Sequence, residues 1–271
     1  MKAGHIHVHT RASDGDITPQ LVVAAGLGFV VATDHDTLDG HEVLRPAAGC
    51  ETLVIPGVEL TVRFEAERLH VLVIDPEPAP GFAAILAQLQ AERRQRAQRV
   101  REQLEQAGLD LSLLLSPRKI PTKREMLAAV WRNPDNAGRL RTLGIADVKA
   151  LGRRYVVTGE RFAIAGVPAD EALPLTGGAL VLAHPARSLR LPEQASVVAR
   201  LVRRFAIAGI EALTRKHTPD QTAIARGIAR ELGVVAVTSN DAHDPEHLAD
   251  NQTPPEQLEQ LRRTGSGVRS A

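Results

Sequence analysis

Short apolar segments alternate with longer amphipathic ones along most of the chain. The short segments are rich in Val, Ile and Leu and predict β-strands at Ile6–Thr10, Phe29–Thr33, Leu53–Ile55, His70–Ile74, Ala179–Ala183, Ile210–Leu213 and Val234–Thr238. A capping hydroxyl before a proline, Thr18-Pro19, predicts one helix start, and further helices are expected near Glu193–Ala208 and Asp220–Leu232. Gly209 and Gly233 are expected to end the last two helices. Strands that alternate with helices predict a largely parallel sheet.

Polar side chains that could bind metal ions come just after these apolar strands. Asp34-His35-Asp36 follows the second strand, His184-Pro185 the fifth, and Asp241-Ala242-His243 the last. A (β/α) barrel builds its active site in this way, from the carboxyl ends of successive strands. An open doubly wound sheet would also place ligands at strand ends, but no Gly-rich phosphate loop follows the first strand. The pattern therefore favours an α/β barrel.

One segment, Phe82–Tyr155, interrupts this pattern and differs from the rest in charge. It carries 15 Lys and Arg against 7 Asp and Glu, a local net charge of +8 in a chain of net charge +1. Its first helix has apolar residues on one face and arginines on the other and should end at Gly108. Further short helices are expected at Lys123–Trp131 and Ile145–Leu151. We predict a small α-helical subdomain that either attracts an anionic substrate or is simply a solvated basic surface.

The predicted organisation is thus a barrel with one insertion. The barrel comprises 1–81 and 156–251, the basic helical insertion 82–155, and the C-terminal tail 252–271 a short helix followed by a frayed end. The insertion is expected to cap the barrel and to take part in substrate selection.

Composition narrows the class of protein further. The 271 residues are 44% hydrophobic and 24% charged, as in an ordinary soluble protein with a large core. Aromatic residues make up only 3%, so platforms that stack nucleic-acid bases are not expected. Cys50 is the single cysteine and the longest nearly apolar run, Leu21–Ala32, is too short to span a bilayer, which predicts a cytoplasmic protein without a membrane segment.

The ten histidines fall into two blocks on either side of the insertion. His7 and His9 are two residues apart on a predicted strand, so both imidazoles point to one face and can share a metal ion. Seven further candidates stand beside predicted strands, which makes nine potential ligands in all: His7, His9, Asp14, His35, Glu59, His70, His184, Asp241 and His243. One ion takes three or four protein ligands in an open site, so two or three ions would explain the set.

Six phrases in this order resemble the motifs of the polymerase-and-histidinol-phosphatase (PHP) superfamily of metal-dependent phosphoesterases. They are HVHTRASDG (7–15), ATDHDTLDG (32–40), PGVEL (56–60), LAHPAR (182–187), HTPDQ (217–221) and TSNDAH (238–243). The chain most resembles the branch that removes the 3′-phosphate of nucleoside 3′,5′-bisphosphates and trims RNA 5′ ends. The resemblance covers both His-rich blocks and implies a distorted seven-stranded (β/α) barrel.

The resemblance also implies a trinuclear metal site. One ion would be held by His7, His9, Glu59 and Asp241, and Glu59 would bridge to a second ion held with His70 and His184. A third ion would be held by Asp14, His35 and His243. The donors are nitrogen and oxygen without thiolate, which suits Mn²⁺, Fe²⁺ or Zn²⁺.

The same resemblance suggests how substrate is bound. Arg187 looks like the family's phosphate-binding arginine, and His217 matches the HTPDQ motif at the mouth of a strand. Arg124 lies roughly where relatives carry a further phosphate-binding basic residue, although the surrounding sequence matches poorly. A second departure is His5, which stands where relatives have an aspartate. It is expected to be an outer partner of the site, a weak extra ligand or a solvent-facing residue.

The expected reaction is hydrolysis of a phosphate ester by a metal-bridging hydroxide, with Arg187 and the metals stabilising the phosphoryl oxygens. The general acid is not identified, and Asp36 and His217 are the candidates. The substrate would be a phosphorylated small molecule, either a nucleotide or short RNA, and no obligate protein partner is indicated. Alternatives are a phosphatase of a small metabolite such as histidinol phosphate, and a non-catalytic metal-binding module.

Several other polar residues are expected to have local structural roles. His41 and His247 are interpreted as loop residues rather than ligands. Asp39 and Asp244 are expected to cap or turn the chain. Cys50 is expected to be a small residue without a catalytic role.

Overall fold

The computed structural model describes residues 1–49, 51–116, 118–156 and 163–267, so Cys50 and the last four residues of the predicted tail lie outside the described part. The chain divides into two compact units. The first comprises Met1–Ala87 and Ala165–Ala271, and the second comprises Gln88–Ile164.

The first unit contains one curled sheet. Its strands are β1 (His5–Val8), β2 (Phe29–Ala32), β3 (Leu53–Phe64), β4 (Glu67–Ile74), β5 (Val167–Pro168), β6 (Ala179–Leu182), β7 (Gly209–Leu213) and β8 (Val235–Thr238). They are ordered β1-β2-β3-β4-β6-β7-β8, with the short β5 beside β3. The segment after β8 returns to β1, because His9 N–H donates to the Ala242 carbonyl at 2.8 Å and Ala242 N–H donates to the His7 carbonyl at 2.9 Å. The predicted distorted α/β barrel is confirmed.

Two predicted strands are longer than expected and run differently. β3 and β4 pair along their length as an antiparallel hairpin, and β4 is also antiparallel to β6. The other described pairings in the sheet are parallel. Glu59 therefore lies within β3 and His70 within β4, not at the ends of shorter strands as expected. The physical reason is that apolar residues continue on alternate positions past Glu59, at Leu60 and Val62, which are fully buried.

The described residues also form eleven α-helices. These are α1 (Pro19–Ala24), α2 (Asp39–Leu44), α3 (Phe82–Gln106), α4 (Lys123–Arg132), α5 (Ala137–Thr142), α6 (Val148–Tyr155), α7 (Ala169–Ala172), α8 (Pro185–Ser188), α9 (Ala195–Phe205), α10 (Pro219–Leu232) and α11 (Pro255–Gly267). The predicted cap of α1 is present, with Thr18 accepting a hydrogen bond from Leu21 N–H. None of the helices in the described ranges is long and apolar enough to cross a membrane.

The two glycines that were expected to end helices have different roles. Gly233 ends α10 with a φ of 68°, as predicted. Gly209 does not end α9, because that helix stops at Phe205 and Ala206 takes the left-handed conformation. Gly209 instead begins β7, where a Cβ atom would lie 2.8 Å from side-chain atoms of Leu261 and Val237. The glycine is therefore needed for close packing inside the unit.

On one face of β3 and β4, apolar core residues lie at one end and polar residues lie at the other. Along β3 the same face shows Ile55, Gly57 and Glu59, and along β4 it shows Ile74, Leu72 and His70, since alternate residues point to the same side. Ile55, Leu72 and Ile74 belong to a buried cluster that also includes Leu258 and Leu261 of α11. The residues predicted to be a tail thus complete the core through this helix.

The second unit has its own small core. It is formed by the later part of α3 together with α4, α5 and α6, and its fully buried residues include Val100, Leu104, Val130 and Leu151. Thr122 and Glu125 form a capping box at the start of α4. The predicted helices at 123–131 and 145–151 correspond to α4 and α6 with shifted ends.

Because α11 contributes to the core, Leu261→Ala should destabilise the protein by about 2–5 kcal/mol through lost burial and a residual cavity. The matched control is Leu53→Ala in β3, whose leucine is 44% exposed and should cost less than about 1 kcal/mol. Urea denaturation measures both free energies of unfolding. Equal effects of the two substitutions would show that α11 is not part of the core.

Candidate metal centre

All nine predicted ligands belong to the first unit, and the fold brings them together. His7, His9, Glu59, His184 and Asp241 are buried, whereas the remaining four are partly exposed. Four groups have ligand atoms within 4.8 Å of one another: His9, Asp14, His35 and His243; His7, Glu59 and His184; His7, His9 and Asp241; His35, Glu59 and His70. Because the groups share members, the nine residues form one continuous cluster.

Glu59 lies at the centre of the cluster and is less than 1% exposed. Five imidazoles surround its two oxygens. Oε1 is 2.9 Å from His70 Nδ1, 2.9 Å from His184 Nε2 and 3.5 Å from His7 Nε2. Oε2 is 2.8 Å from His35 Nδ1 and 3.4 Å from His9 Nε2. Such a carboxylate can bridge two cations.

Two further carboxylates lie close to His9, Asp241 at the same ring nitrogen as Glu59 and Asp14 at the other. Asp241 Oδ1 is 3.2 Å from His9 Nε2, 3.2 Å from His243 Nδ1 and 3.5 Å from His7 Nε2. Asp14 Oδ1 is 3.2 Å from His243 Nε2, 3.6 Å from His9 Nδ1 and 3.7 Å from His35 Nε2. The structure therefore brings together the members of each ligand set that the family resemblance implies. Their roles as ligands stay a prediction.

The titration behaviour of the cluster follows from burying several carboxylates among imidazoles. Burial opposes charge on every group, but the neighbouring imidazoles hold the pKa of Glu59 and of Asp241 well below the usual range. Burial likewise opposes protonation of His7, but Glu211, Glu59 and Asp241 hold its pKa well above normal. For His243 the carboxylates of Asp14 and Asp241 overcome burial and raise the pKa to about 10. The carboxylates of the cluster thus favour positive charge on the imidazoles of His7 and His243.

The donor set fits divalent metal ions. His7 Nε2, His9 Nε2 and Glu59 Oε2 are buried and make no hydrogen bond of acceptable geometry to any described residue. These atoms point into the cluster, where a cation would satisfy their lone pairs. Nitrogen and oxygen donors without thiolate match the first-row divalent ions.

Three residues that the sequence analysis missed support the cluster. Asp34 is fully buried and accepts hydrogen bonds from Thr10 N–H at 2.9 Å and Ser13 Oγ at 2.6 Å, which holds the loop that carries Asp14. Glu211 in β7 is also fully buried and accepts from His7 Nδ1 at 2.7 Å. A glutamate inside an apolar strand was the available signal for this residue.

The third missed residue is Lys216. Its ammonium lies 2.9 Å from Asp241 Oδ2, the oxygen that faces away from His9 and His243. Lys216 directly precedes the HTPDQ motif but does not belong to it, so the motif did not indicate it.

The residues predicted to bind substrate are placed differently from one another. Arg187 lies on α8 and is exposed. His217 uses both ring nitrogens on the backbone, since Nδ1 lies 3.0 Å from the Ala212 carbonyl and Nε2 accepts from Ala186 N–H at 3.3 Å. Arg124 is exposed on α4 in the second unit. Their contacts with substrate stay a prediction.

Asp36, one of the two candidate acids, and His5, the histidine that departs from the family pattern, are both buried. Asp36 is buried and accepts hydrogen bonds from Thr61 N–H at 2.7 Å and Thr61 Oγ1 at 3.0 Å, so its carboxylate is engaged structurally. His5 is buried with Nε2 3.2 Å from the Leu248 carbonyl, so the solvent-facing alternative is wrong. His247 accepts from the backbone N–H groups of His243 and Asp244, and so orders the turn that carries His243.

Metal-free protein should lose stability as the pH rises between about 6.5 and about 10. The folded-state pKa of His243 lies above its unfolded value, so its contribution is complete below about 6.5 and disappears as the pH passes about 10. Calorimetry of chelator-treated protein measures this as a falling Tm. His243→Gln should flatten the fall, whereas His41→Gln should not, and an unchanged slope in the first variant would contradict the assignment.

Comparison with solved structures identifies proteins of the same fold. No family model matches the chain. It shares its fold with an amidohydrolase from Chromobacterium violaceum (TM-score 0.73, 23% identity, 96% of each chain). A protein from Bifidobacterium adolescentis assigned as a metal-dependent phosphoesterase has a TM-score of 0.72 at 24% identity, over 97% of this chain and 96% of its own.

Proteins related by sequence carry names that specify a reaction. The chain is 28% identical to the 5′-3′ exoribonuclease Rnm of Escherichia coli, over 89% of this chain and 85% of the relative. It is 27% identical to a 3′,5′-nucleoside bisphosphate phosphatase of Chromobacterium violaceum, over 89% of this chain and 87% of the relative. The printed names of these relatives are those of enzymes that hydrolyse phosphate esters, which agrees with the class of enzyme that the sequence predicts.

Proposed function

We propose that the protein is a metal-dependent phosphoesterase that acts on the 3′-phosphate of nucleoside 3′,5′-bisphosphates or on the 5′ ends of short RNA. The observation that carries this proposal is the buried Glu59 carboxylate among five imidazoles, with Asp14 and Asp241 completing the cluster. Nine ligand-type residues in one cluster are more than a structural ion requires.

The cluster would hold two or three divalent ions, of which Mn²⁺, Fe²⁺ and Zn²⁺ fit the donors. His7, His9 and Asp241 would hold one ion together with Glu59, and His70 and His184 would hold a second ion together with the same glutamate. Asp14, His35 and His243 would hold a third. When bound, such ions lower the pKa of coordinated water toward about 7 and neutralise developing charge on phosphoryl oxygens.

Residues of the protein itself would position the ester and stabilise the negative charge on its phosphoryl oxygens. Water adds to phosphorus and the ester P–O bond breaks. The 3′-phosphate of a bisphosphate would leave an alcohol and inorganic phosphate, and an RNA phosphodiester would leave an alcohol and a phosphate monoester. Arg187, exposed on α8 three residues after His184, can offer paired N–H donors to phosphoryl oxygens. The proton donor to the leaving oxygen is not assigned.

The nucleotide preference is supported by the relatives and by charge. The relatives carry the names of an exoribonuclease and a nucleoside bisphosphate phosphatase, activities that share a nucleotide with phosphate on both sides. The segment 82–155 has a net charge of +8 and includes a groove lined by Arg94, Arg101 and Lys119 over an apolar floor of Ala97, Ile120 and Met126. Such a surface suits an anionic, partly apolar nucleotide.

The segment 82–155 would select substrate, with Arg124 as a phosphate contact, and His217 would contribute from the first unit. A cytoplasmic location stays a prediction from the cysteine count.

Mn²⁺-loaded protein should release phosphate from adenosine 3′,5′-bisphosphate, and Asp241→Ala should reduce the rate at least about 100-fold because a cluster carboxylate is lost. Asp250→Ala, at an exposed position, is the matched control and should keep the rate. A colorimetric phosphate assay measures all three. Turnover of histidinol phosphate but not of the bisphosphate would support the small-metabolite alternative, and hydrolysis of no ester would support a non-catalytic module.

Arg187→Ala should lower kcat/KM by about 10- to 100-fold, since hydrogen bonds to charged groups contribute about 1.5–3 kcal/mol. Arg190→Ala removes a neighbouring exposed arginine and should change kcat/KM less than about twofold. Steady-state kinetics on the same substrate measures both values. Similar losses in the two variants would indicate general electrostatic attraction instead of a specific contact.

A further inference from the structure

Glu211 is a buried carboxylate that the proposed chemistry does not use. It lies in β7 between Ile210 and Ala212, is fully buried, and is not one of the nine candidate ligands. Its oxygens accept three hydrogen bonds from three other parts of the sheet. Oε1 accepts from His7 Nδ1 at 2.7 Å and from Ser239 Oγ, and Oε2 accepts from His184 N–H at 2.7 Å.

We infer that Glu211 is a positioning residue that presets two ligands, His7 and His184, for metal binding. The inference rests on the proposed metal centre but not on the identity of the substrate.

The contact with His7 determines which ring nitrogen can bind a metal ion. An ionised carboxylate only accepts hydrogen bonds, so His7 Nδ1 must carry the proton that lies toward Glu211. The other nitrogen, Nε2, then points toward Glu59 and Asp241, at 3.5 Å from each. The other two groups on Glu211, Ser239 Oγ and His184 N–H, are also donors, which an ionised carboxylate satisfies. A carboxylate behind a ligating imidazole also increases the basicity of the imidazole.

The contact with His184 fixes a backbone conformation. His184 has a φ of 27°, which is unfavourable for a residue with a side chain. Its N–H is held by Glu211 Oε2, and its Nε2 lies 2.9 Å from Glu59. Without this acceptor a buried N–H would lose its partner and the strained backbone would be free to relax. The imidazole would then leave its place beside Glu59.

The chemistry of the three neighbours explains why the residue is Glu and not Gln. All three groups are donors, and a carboxylate offers an acceptor to each. A glutamine would place an NH₂ group against one donor, either His184 N–H or the pair formed by His7 and Ser239. Glu211→Gln therefore keeps the size of the side chain and removes one acceptor together with the negative charge.

The test uses full-length protein stripped with chelator and titrated with Mn²⁺, with free Mn²⁺ measured by its electron paramagnetic resonance signal. Glu211→Gln should weaken the tightest Mn²⁺ binding by about 10- to 100-fold. The matched control is Ser239→Ala, which removes one hydrogen bond to the same carboxylate but leaves both imidazoles in contact with it. Its Mn²⁺ affinity should stay within about threefold of the original protein.

A merely structural role would give a different result. In that case Glu211→Gln would lower the Tm of the metal-free protein and leave the Mn²⁺ dissociation constant unchanged, which would overturn the inference. If this variant does not fold, Glu211→Asp keeps the charge but shortens the reach, and it should also bind Mn²⁺ more weakly. Unchanged affinity in a folded Glu211→Asp would overturn the inference as well. If the original protein binds no Mn²⁺, the proposed metal centre itself fails, so the two failures are distinguishable.

Discussion

The structure depends on keeping one buried carboxylate, Glu59, ionised in the interior of the sheet. An isolated buried charge is expensive, and the protein can accept it only with strong partners. Five imidazoles around Glu59 provide them. Each comes from a different strand or from the one to three residues after it, apart from His7 and His9, which both belong to β1 or directly follow it. The antiparallel β3–β4 hairpin places Glu59 and His70 in neighbouring strands, 2.9 Å apart at their side chains. Fold and site are therefore set by the same strand pairings.

A layer of polar residues around the cluster fixes the positions of the clustered side chains. Asp34 orders the loop that carries Asp14, Glu211 orients His7 and His184, and Lys216 binds the outer oxygen of Asp241. Positive φ angles at His184 and Asp241 show that the backbone is strained where it presents these side chains. Such strain persists only where the surroundings determine the conformation, and the buried hydrogen bonds of this layer do so.

The sequence predicts which residues cluster better than it predicts the residues that support them. Spacing of two in His7 and His9, and polar residues after apolar strands, identify the cluster because strand periodicity is local. The length of β3 and the direction of β4 were missed, since a short apolar run such as Leu53–Ile55 does not reveal that pairing continues to Phe64. Glu211 and Lys216 were missed because their roles arise from contacts between distant parts of the chain. The contribution of α11 to the core was not predicted, because it depends on contacts of Leu258 and Leu261 with strands that are distant in sequence.

The central claim is that Glu59 organises a centre of several divalent ions. Elemental analysis of protein equilibrated with Mn²⁺ and then passed over a desalting column tests this most directly, together with Glu59→Gln prepared in the same way. The account predicts two or three ions per chain in the original protein and at most one in Glu59→Gln. A metal content that is unchanged by this substitution, or an original protein that retains no ion, would contradict it.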